Sequence, residues 1–284
     1  MSSPSSSAQR ARQALAGRLR EIRLAASVTG RGLAAEAGWH FTKVSKLETA
    51  TTAPSADDIR AWCRICRADH LVEELLADRL AADSAWMDWR RMERAGLRQA
   101  QEAVRDIYET TRLYRSYSPD VIPGLLQTRA YVTAILEAVR ARRGITVDDI
   151  DAAVAERMAR QHILHEGDHR FAFVLEEAAL RYRLGDPAVV AGQLGHLLTV
   201  MSLPSVALSI IPLDAPRPMT LWPVEGFYVF DEVQVNVELV SGFLTITQPR
   251  EVADYLEVFA DLSAVAVSGA AARALITRAI GSLE

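Results

Sequence analysis

The stretch Val28–Ala50, VTGRGLAAEAGWHFTKVSKLETA, decides how the chain is read. Thr29 is a helix-capping type standing ahead of Leu33, Ala34 and Ala37, whose spacing predicts a short helix with one apolar face. Gly38 supplies the positive φ that a tight turn between two helices needs. From Phe41 to about Thr49 a second short helix is predicted, with Val44 and Leu47 facing inward. Both lysines of the chain, Lys43 and Lys46, fall in this second helix; every other basic side chain among the 32 Lys+Arg is arginine.

Working outward, Leu15, Leu19, Ile22 and Ala26 recur at helical spacing and predict a helix from about Ala8 to Ala26. Downstream, Pro54-Ser55 breaks the chain and caps a helix in which Ile59, Trp62, Cys63 and Cys66 fall at i, i+3, i+4 and i+7. A compact domain of four or five helices over residues 9–70 follows, behind a Ser-rich leader at 1–8 that is expected to be disordered. Residues 1–70 carry 11 basic side chains against 6 acidic, and the remainder carries 21 against 30. A basic head on an acidic body is the asymmetry of a DNA-binding module attached to a separate domain. A chain of 284 residues has room for two domains. No apolar run reaches the roughly 18–20 residues of a membrane span. MSSPSSSAQR lacks the apolar core of a signal peptide, so two cysteines without an export signal indicate the reducing cytoplasm.

Small residues at Ala35–Ala37, the turn at Gly38, Val44-Ser45-Lys46-Leu47-Glu48 and Pro54-Ser55 together resemble the Cro/C1 (XRE-type) helix-turn-helix family over about residues 12–68. The resemblance implies that the helix after the turn enters the major groove as one half of a dimer. By position it places Phe41, Thr42 and Lys46 toward bases and His40, Lys43 and Thr49 near phosphates. Lys46 is suited to guanine O6/N7, and Thr42 or Phe41 to a thymine methyl. Arg23 and Glu48 match an internal ion pair. Where the family usually offers a glutamine to phosphate, this chain reads Gly30-Arg31-Gly32, and Arg31 is the expected substitute.

Residues 71–117 read as a helical connector, with stripes at Leu71, Leu75, Leu76 and Leu80, then Trp86, Trp89 and Met92, then Val104, Ile107 and Tyr108. Gly96 separates two of its helices. Residues 118–284 read as an α+β domain. Helices are predicted from Leu125 to about Arg142, over 147–165, from the Asp186-Pro187 cap to Met201, from Gln248-Pro249 to Val267, and over 270–280. Strands are predicted at Phe171–Leu175, Val206–Ile211, Gly226–Phe230, Gln234–Val240 and Phe243–Ile246. The whole is mainly α with an α+β C-terminal domain.

Pro123-Gly124-Leu125-Leu126-Gln127-Thr128, Arg157 with Arg160-Gln161, Leu175-Glu176-Glu177-Ala178-Ala179-Leu180-Arg181 and Gln193-Leu194-Gly195-His196-Leu197 resemble the Scr-type antitoxin-like domain of WhiJ-like regulators of actinomycetes. That resemblance covers nearly all of residues 100–270. It implies a transcriptional regulator, often paired with a small protein encoded nearby, and no known reaction.

No nucleophile elbow, P-loop, HExxH or dinucleotide fingerprint occurs, so the chain is not expected to be an enzyme, and no cofactor is implied. Adjacent Glu176 and Glu177 point to different sides of a helix and do not form an acid–base pair. Cys63 and Cys66 lack the second ligand pair of a zinc site and read as small buried residues. His162, His165, Glu166 and His169 are the most tempting metal cluster, but they read as a surface helix end. The sequence therefore supports a cytoplasmic, dimeric regulator of double-stranded DNA. Its alternative is an antitoxin-like protein whose main task is holding a small partner, with autoregulatory DNA binding. A small-molecule effector is a third expectation, placed near Trp222, Phe227 and Tyr228, with His196 as a candidate polar group.

Overall fold

A computed structural model describes residues 7–84, 86–240 and 242–283. The expected leader at 1–8 lies almost entirely outside them, as do the side chains of Leu80 and Trp86. The chain divides into two units, residues 1–87 and 88–284. Among the described residues, no helix is long and apolar enough to cross a membrane.

The first unit contains α1 (Ser7–Ala25), α2 (Gly30–Ala37), α3 (Phe41–Glu48), α4 (Ala56–Ile65) and α5 (Val72–Ser84). Its core gathers Leu15, Leu19, Leu33, Val44, Leu47, Ile59, Trp62, Cys63 and Leu75, the apolar positions that recur at helical spacing. Trp62 is fully buried and keeps its indole N–H satisfied by donating to the Leu19 carbonyl at 2.9 Å. The start of α4 is fixed by a reciprocal capping box between Ser55 and Asp58. Leu71, Leu75 and Leu76 join this same core, so the front of the stretch read as a connector is packed here as α5. Arg18 on α1 holds α5 through ion pairs with Glu74 and Asp78.

The second unit is a six-stranded mixed sheet with helices on both faces. Its strands are β1 (Leu113–Ser118), β2 (Arg170–Glu176), β3 (Val206–Ile211), β4 (Phe227–Phe230), β5 (Gln234–Glu238) and β6 (Gly242–Ile246). Their spatial order is β6-β5-β4-β1-β2-β3. β1, β2 and β3 run parallel, with Tyr117 opposite Val174 and Val174 opposite Ser209. β4, β5 and β6 form an antiparallel meander that joins β1 antiparallel, Ser116 opposite Tyr228. β1 joins the parallel and antiparallel halves, and it lies in the stretch where the sequence pattern predicts a helical connector.

The second unit's α-helices of five or more residues are α6 (Leu97–Glu102), α7 (Arg105–Thr110), α8 (Arg129–Arg143), α9 (Ile150–Ala159), α10 (Glu177–Arg181), α11 (Pro187–Val200), α12 (Pro249–Val265) and α13 (Gly269–Gly281). One face of the sheet presents Tyr114, Phe171, Phe173, Leu175, Leu208 and Ile210 to α11 and α13, whose Leu194, Leu197, Leu275 and Ile276 share the same core. On the other face Phe227 meets Tyr255 and Phe259 of α12 edge-on, ring centroids 4.9 and 6.4 Å apart. α6 starts at Gly96, where Asp149 reaches back to accept from the Leu97 and Arg98 amides at 3.0 and 2.9 Å. Gly96 sits at φ 110°, and a Cβ there would lie 2.2 Å from Asp149 Oδ2.

Candidate nucleic-acid interface

Thr29 caps α2 by accepting from the Gly32 amide at 3.0 Å, as its position in the sequence predicts. Gly38 ends the helix at φ 67°, and the amides of Gly38 and Trp39 close on Ala35 and Ala34 carbonyls. The turn aims α3 so that Val44 and Leu47 enter the core at 1% and 0% exposure. What remains outward is Phe41, Thr42, Ser45, Lys46 and Thr49, all exposed. Thr42, Ser45, Lys46 and Thr49 stand at i, i+3, i+4 and i+7, so they form one stripe along the helix. Ser45 is not among the residues singled out in the sequence, and the helical spacing alone places it on this stripe.

The predicted contact residues have different local duties. His40 caps α3: its Nδ1 accepts from the Thr42 amide at 3.3 Å and lies 2.8 Å from the Thr42 hydroxyl. Phe41 is 47% exposed, which settles it as a surface residue, and its ring lies beside Gly30, where a Cβ would stand 3.2 Å away. The exposed Arg31 guanidinium lies 5.9 Å from the centre of the Phe41 ring, so the cation is held at the front edge of α3. Thr49 donates to the Ser45 carbonyl at 2.9 Å and adjoins the Thr51 hydroxyl.

The two lysines are not equivalent. Lys43 is bound to Asp58 at 2.6 Å and rests 4.2 Å over the Trp39 ring, so much of its charge is spent inside the protein. Lys46 is exposed and has no carboxylate partner among the described residues. Burial alone would raise the Asp58 carboxyl, but Lys43 and the Ser55 amide and hydroxyl outweigh it and hold the group below its usual range.

Arg23 and Glu48 form the internal brace that the sequence suggested. The guanidinium donates through Nε at 2.6 Å and Nη2 at 3.0 Å to the two carboxylate oxygens, and through Nη1 to the Val28 carbonyl. That bidentate pair ties the ends of α1 and α3 together, and Arg23 is only 8% exposed.

Other candidate sites resolve differently. Trp222 is exposed, Phe227 is fully buried against α12, and Tyr228 points to the opposite sheet face, so these three do not line one pocket. Tyr228 alone among them lines a large cavity of the second unit, and His196 lies outside its lining. His196 is half-buried; burial, then the neighbouring His165, lowers its pKa. His162 and His169 each have Nδ1 against a backbone carbonyl, of Ala159 and Thr111. Among the described residues no group of three or more His, Cys, Asp or Glu is placed to hold a metal. Cys63 and Cys66 are free and buried, and burial pushes the Cys63 thiol up to about 11. Glu176 accepts from the Tyr117 hydroxyl at 2.7 Å and pairs with Arg217, while Glu177 accepts from Arg181 and from the Leu213 amide.

A family model described as a helix-turn-helix domain matches residues 14–76, and one described as a domain of unknown function, DUF5753, matches residues 101–278. No curated protein matches the chain. Among solved structures, one match is TrmBL2, an archaeal chromatin protein whose structure is described as showing a novel mode of DNA binding. It is 12% identical over 75% of this chain and 71% of that one, with a TM-score of 0.31, too low a likeness to bear on this fold. The second family match takes in well over half of the 284 residues, and the protein therefore belongs to the DUF5753 domain family, with a helix-turn-helix domain ahead of that domain.

Proposed function

We propose that the protein is a sequence-specific, DNA-binding transcriptional regulator of the Cro/C1 (XRE) kind that works as a dimer in the cytoplasm. The observation that carries this reading is the outward stripe Thr42–Ser45–Lys46–Thr49 on α3, whose Lys46 has no internal partner among the described residues. Lys46 and Thr42 read base edges, Ser45 and Thr49 adjoin the same groove, and Arg31 with the α3 cap at His40 meets the backbone. Lys43 contributes to phosphate attraction only in part, because Asp58 already neutralises it. Two heads spaced about one helical turn apart engage the two half-sites. No catalytic step is assigned, since Glu176 and Glu177 are engaged in holding Tyr117, Arg217, Arg181 and the Leu213 amide. A gel shift on the DNA upstream of the protein's own gene tests this: Lys46→Ala and Thr42→Ala weaken the shift, and wild-type affinity in both variants would refute the assignment.

A second reading, that of a WhiJ-like, antitoxin-like protein holding a small partner, draws support from the segment after β3. There Leu213, Met219 and Trp222 are 67%, 96% and 57% exposed. Three large apolar side chains exposed within ten residues offer a protein-contact surface where they form one patch. Co-expression with a small open reading frame neighbouring the gene, followed by pull-down with wild type and Trp222→Ser, tests it; equal capture by both would count against this segment as the contact.

A further inference from the structure

The second unit holds a cavity of about 1280 Å³ over the antiparallel half of its sheet. Tyr228, Asn236 and Glu238 share the face that floors it, since Tyr228 is opposite Asn236 in the register and Glu238 is two residues further along β5. Arg157 and Arg160, at the end of α9, supply one wall. Much of the remaining lining is apolar, including Leu97, Val104, Ile122, Leu136 and Val139.

The two arginines are the unusual feature. Arg157 donates to the side-chain carbonyls of Gln101 and Gln127 at 3.0 and 3.1 Å. Arg160 donates to the Gln101 backbone carbonyl at 2.7 Å and packs 4.8 Å from the Tyr108 ring. Arg160 is 8% exposed, and its Nε is buried with no hydrogen-bond partner. Neither guanidinium forms an ion pair with a carboxylate among the described residues, whereas Arg143 on the same lining is paired with Glu93. Burial works against the Arg157 charge, and Glu238 opposes that effect only from a distance. The buried Arg160 and the partly buried Arg157 both donate to the Gln101 side chain and have only neutral hydrogen-bond partners, an arrangement that an anion would complete.

The polar residues around them are held in place. Gln127 donates to the Ile122 carbonyl at 2.7 Å, and Gln161 donates to the Gly124 and Gln127 carbonyls at 3.3 and 2.7 Å. Segments far apart in sequence, 122–128 and 157–161, are thereby fixed as one rigid polar corner of an otherwise apolar chamber, the design of a small-molecule site.

We propose that this cavity binds an amphipathic organic monoanion, a single carboxylate or equivalent acid group on an apolar body, with Arg157 and Arg160 holding the acid group. The carboxyl groups of Glu238 and Asp120 on the same lining disfavour a second anionic group. The site lies within the second unit and is tested without DNA, so its failure and that of the DNA reading are separate.

The test is fluorescence titration of the full chain with anilinonaphthalene sulfonate, an apolar dye with one acid group, and with uncharged phenylnaphthylamine. Saturable binding of the sulfonate is expected, with decanoate displacing it at least about tenfold more effectively than decanol of the same chain length. Arg157→Gln should weaken the sulfonate at least about tenfold while leaving the uncharged dye unaffected, and Arg157→Lys should restore part of the loss. Near-ultraviolet circular dichroism establishes that each variant is folded. If Arg157→Gln does not fold, the displacement experiment on the wild type decides. Equal displacement by decanol and decanoate, non-saturable dye binding, or wild-type sulfonate affinity in folded Arg157→Gln would overturn the proposal.

Discussion

Lys43 and Lys46 lie three residues apart on one helix and are bound to different tasks. Lys43 closes a pair with Asp58, so its removal acts first on the fold; at 42% side-chain exposure the loss is small, roughly 0–1 kcal/mol. Lys46 has no such partner, and its removal should leave thermal stability unchanged within about 0.5 kcal/mol. The Asp58 carboxyl titrates lower in the folded chain than in the unfolded one. Its contribution is therefore complete above its unfolded pKa, about 3.9, and disappears as the pH falls through the lower folded value. Melting curves of wild type and Asp58→Asn should stay separated by a constant gap above about pH 5 and converge in more acidic solution. Glu48 is more demanding. Glu48→Ala strands the nearly buried Arg23 guanidinium and should cost roughly 3 kcal/mol in a denaturant titration, because a broken buried pair leaves an uncompensated charge. Cys63, with its thiol pushed up to about 11, stays protonated near neutral pH. A thiol reagent at about pH 8 should label the protein only after denaturant is added.

At the scale of elements, two glycines set joints that other residues cannot occupy cheaply. Gly38 has open space around its Cα but stands at φ 67°, so Gly38→Ala costs about 1–2 kcal/mol through backbone strain alone. Gly96 combines φ 110° with the close approach of Asp149, and Gly96→Ala should destabilise by more than Gly38→Ala, read in the same denaturant titration. In the first unit α1, α2, α3 and the start of α4 are readable from the sequence to within a residue or two, because apolar period, Thr29, Gly38 and Ser55 agree, whereas α5 falls in the stretch read as a connector. In the second unit β3 was found at its observed bounds, and the antiparallel strands nearly so. β1 was not, and the reason is physical. Its LYRSYS buries Ser116 and Ser118 along with Tyr114 and Tyr117, so no alternation of polar and apolar residues marks it. A strand buried on both faces is expected to be apolar throughout, and this one satisfies its polar groups locally instead, Ser116 and Ser118 lying 3.4 Å apart and Tyr117 donating to Glu176. Three-dimensional proximity likewise hid the cavity. Arg157, Arg160 and Gln127 were visible as motif residues, but nothing in their order shows that they meet beneath Tyr108 and Tyr228.

For the whole molecule, the basic side chains are concentrated in the head and the acidic ones in the body, so the charge that would attract DNA sits beside α3. DNA affinity should fall steeply with salt, since each phosphate contact releases counterions, and Arg31→Ala should flatten the dependence by about one unit of slope. Lys46 has a different signature, because a residue that reads a base changes sequence preference as well as affinity. Whether the outer stripe of α3 reads DNA sequence is measured by a base-preference profile. Duplexes selected from a random pool by the full-length protein are re-measured with each position of the half-site changed in turn, for wild type and Lys46→Ala. Wild type should lose about 1–3 kcal/mol when one guanine is replaced, and Lys46→Ala should bind more weakly and no longer distinguish that base. An unchanged profile and affinity in Lys46→Ala would contradict sequence reading by this stripe.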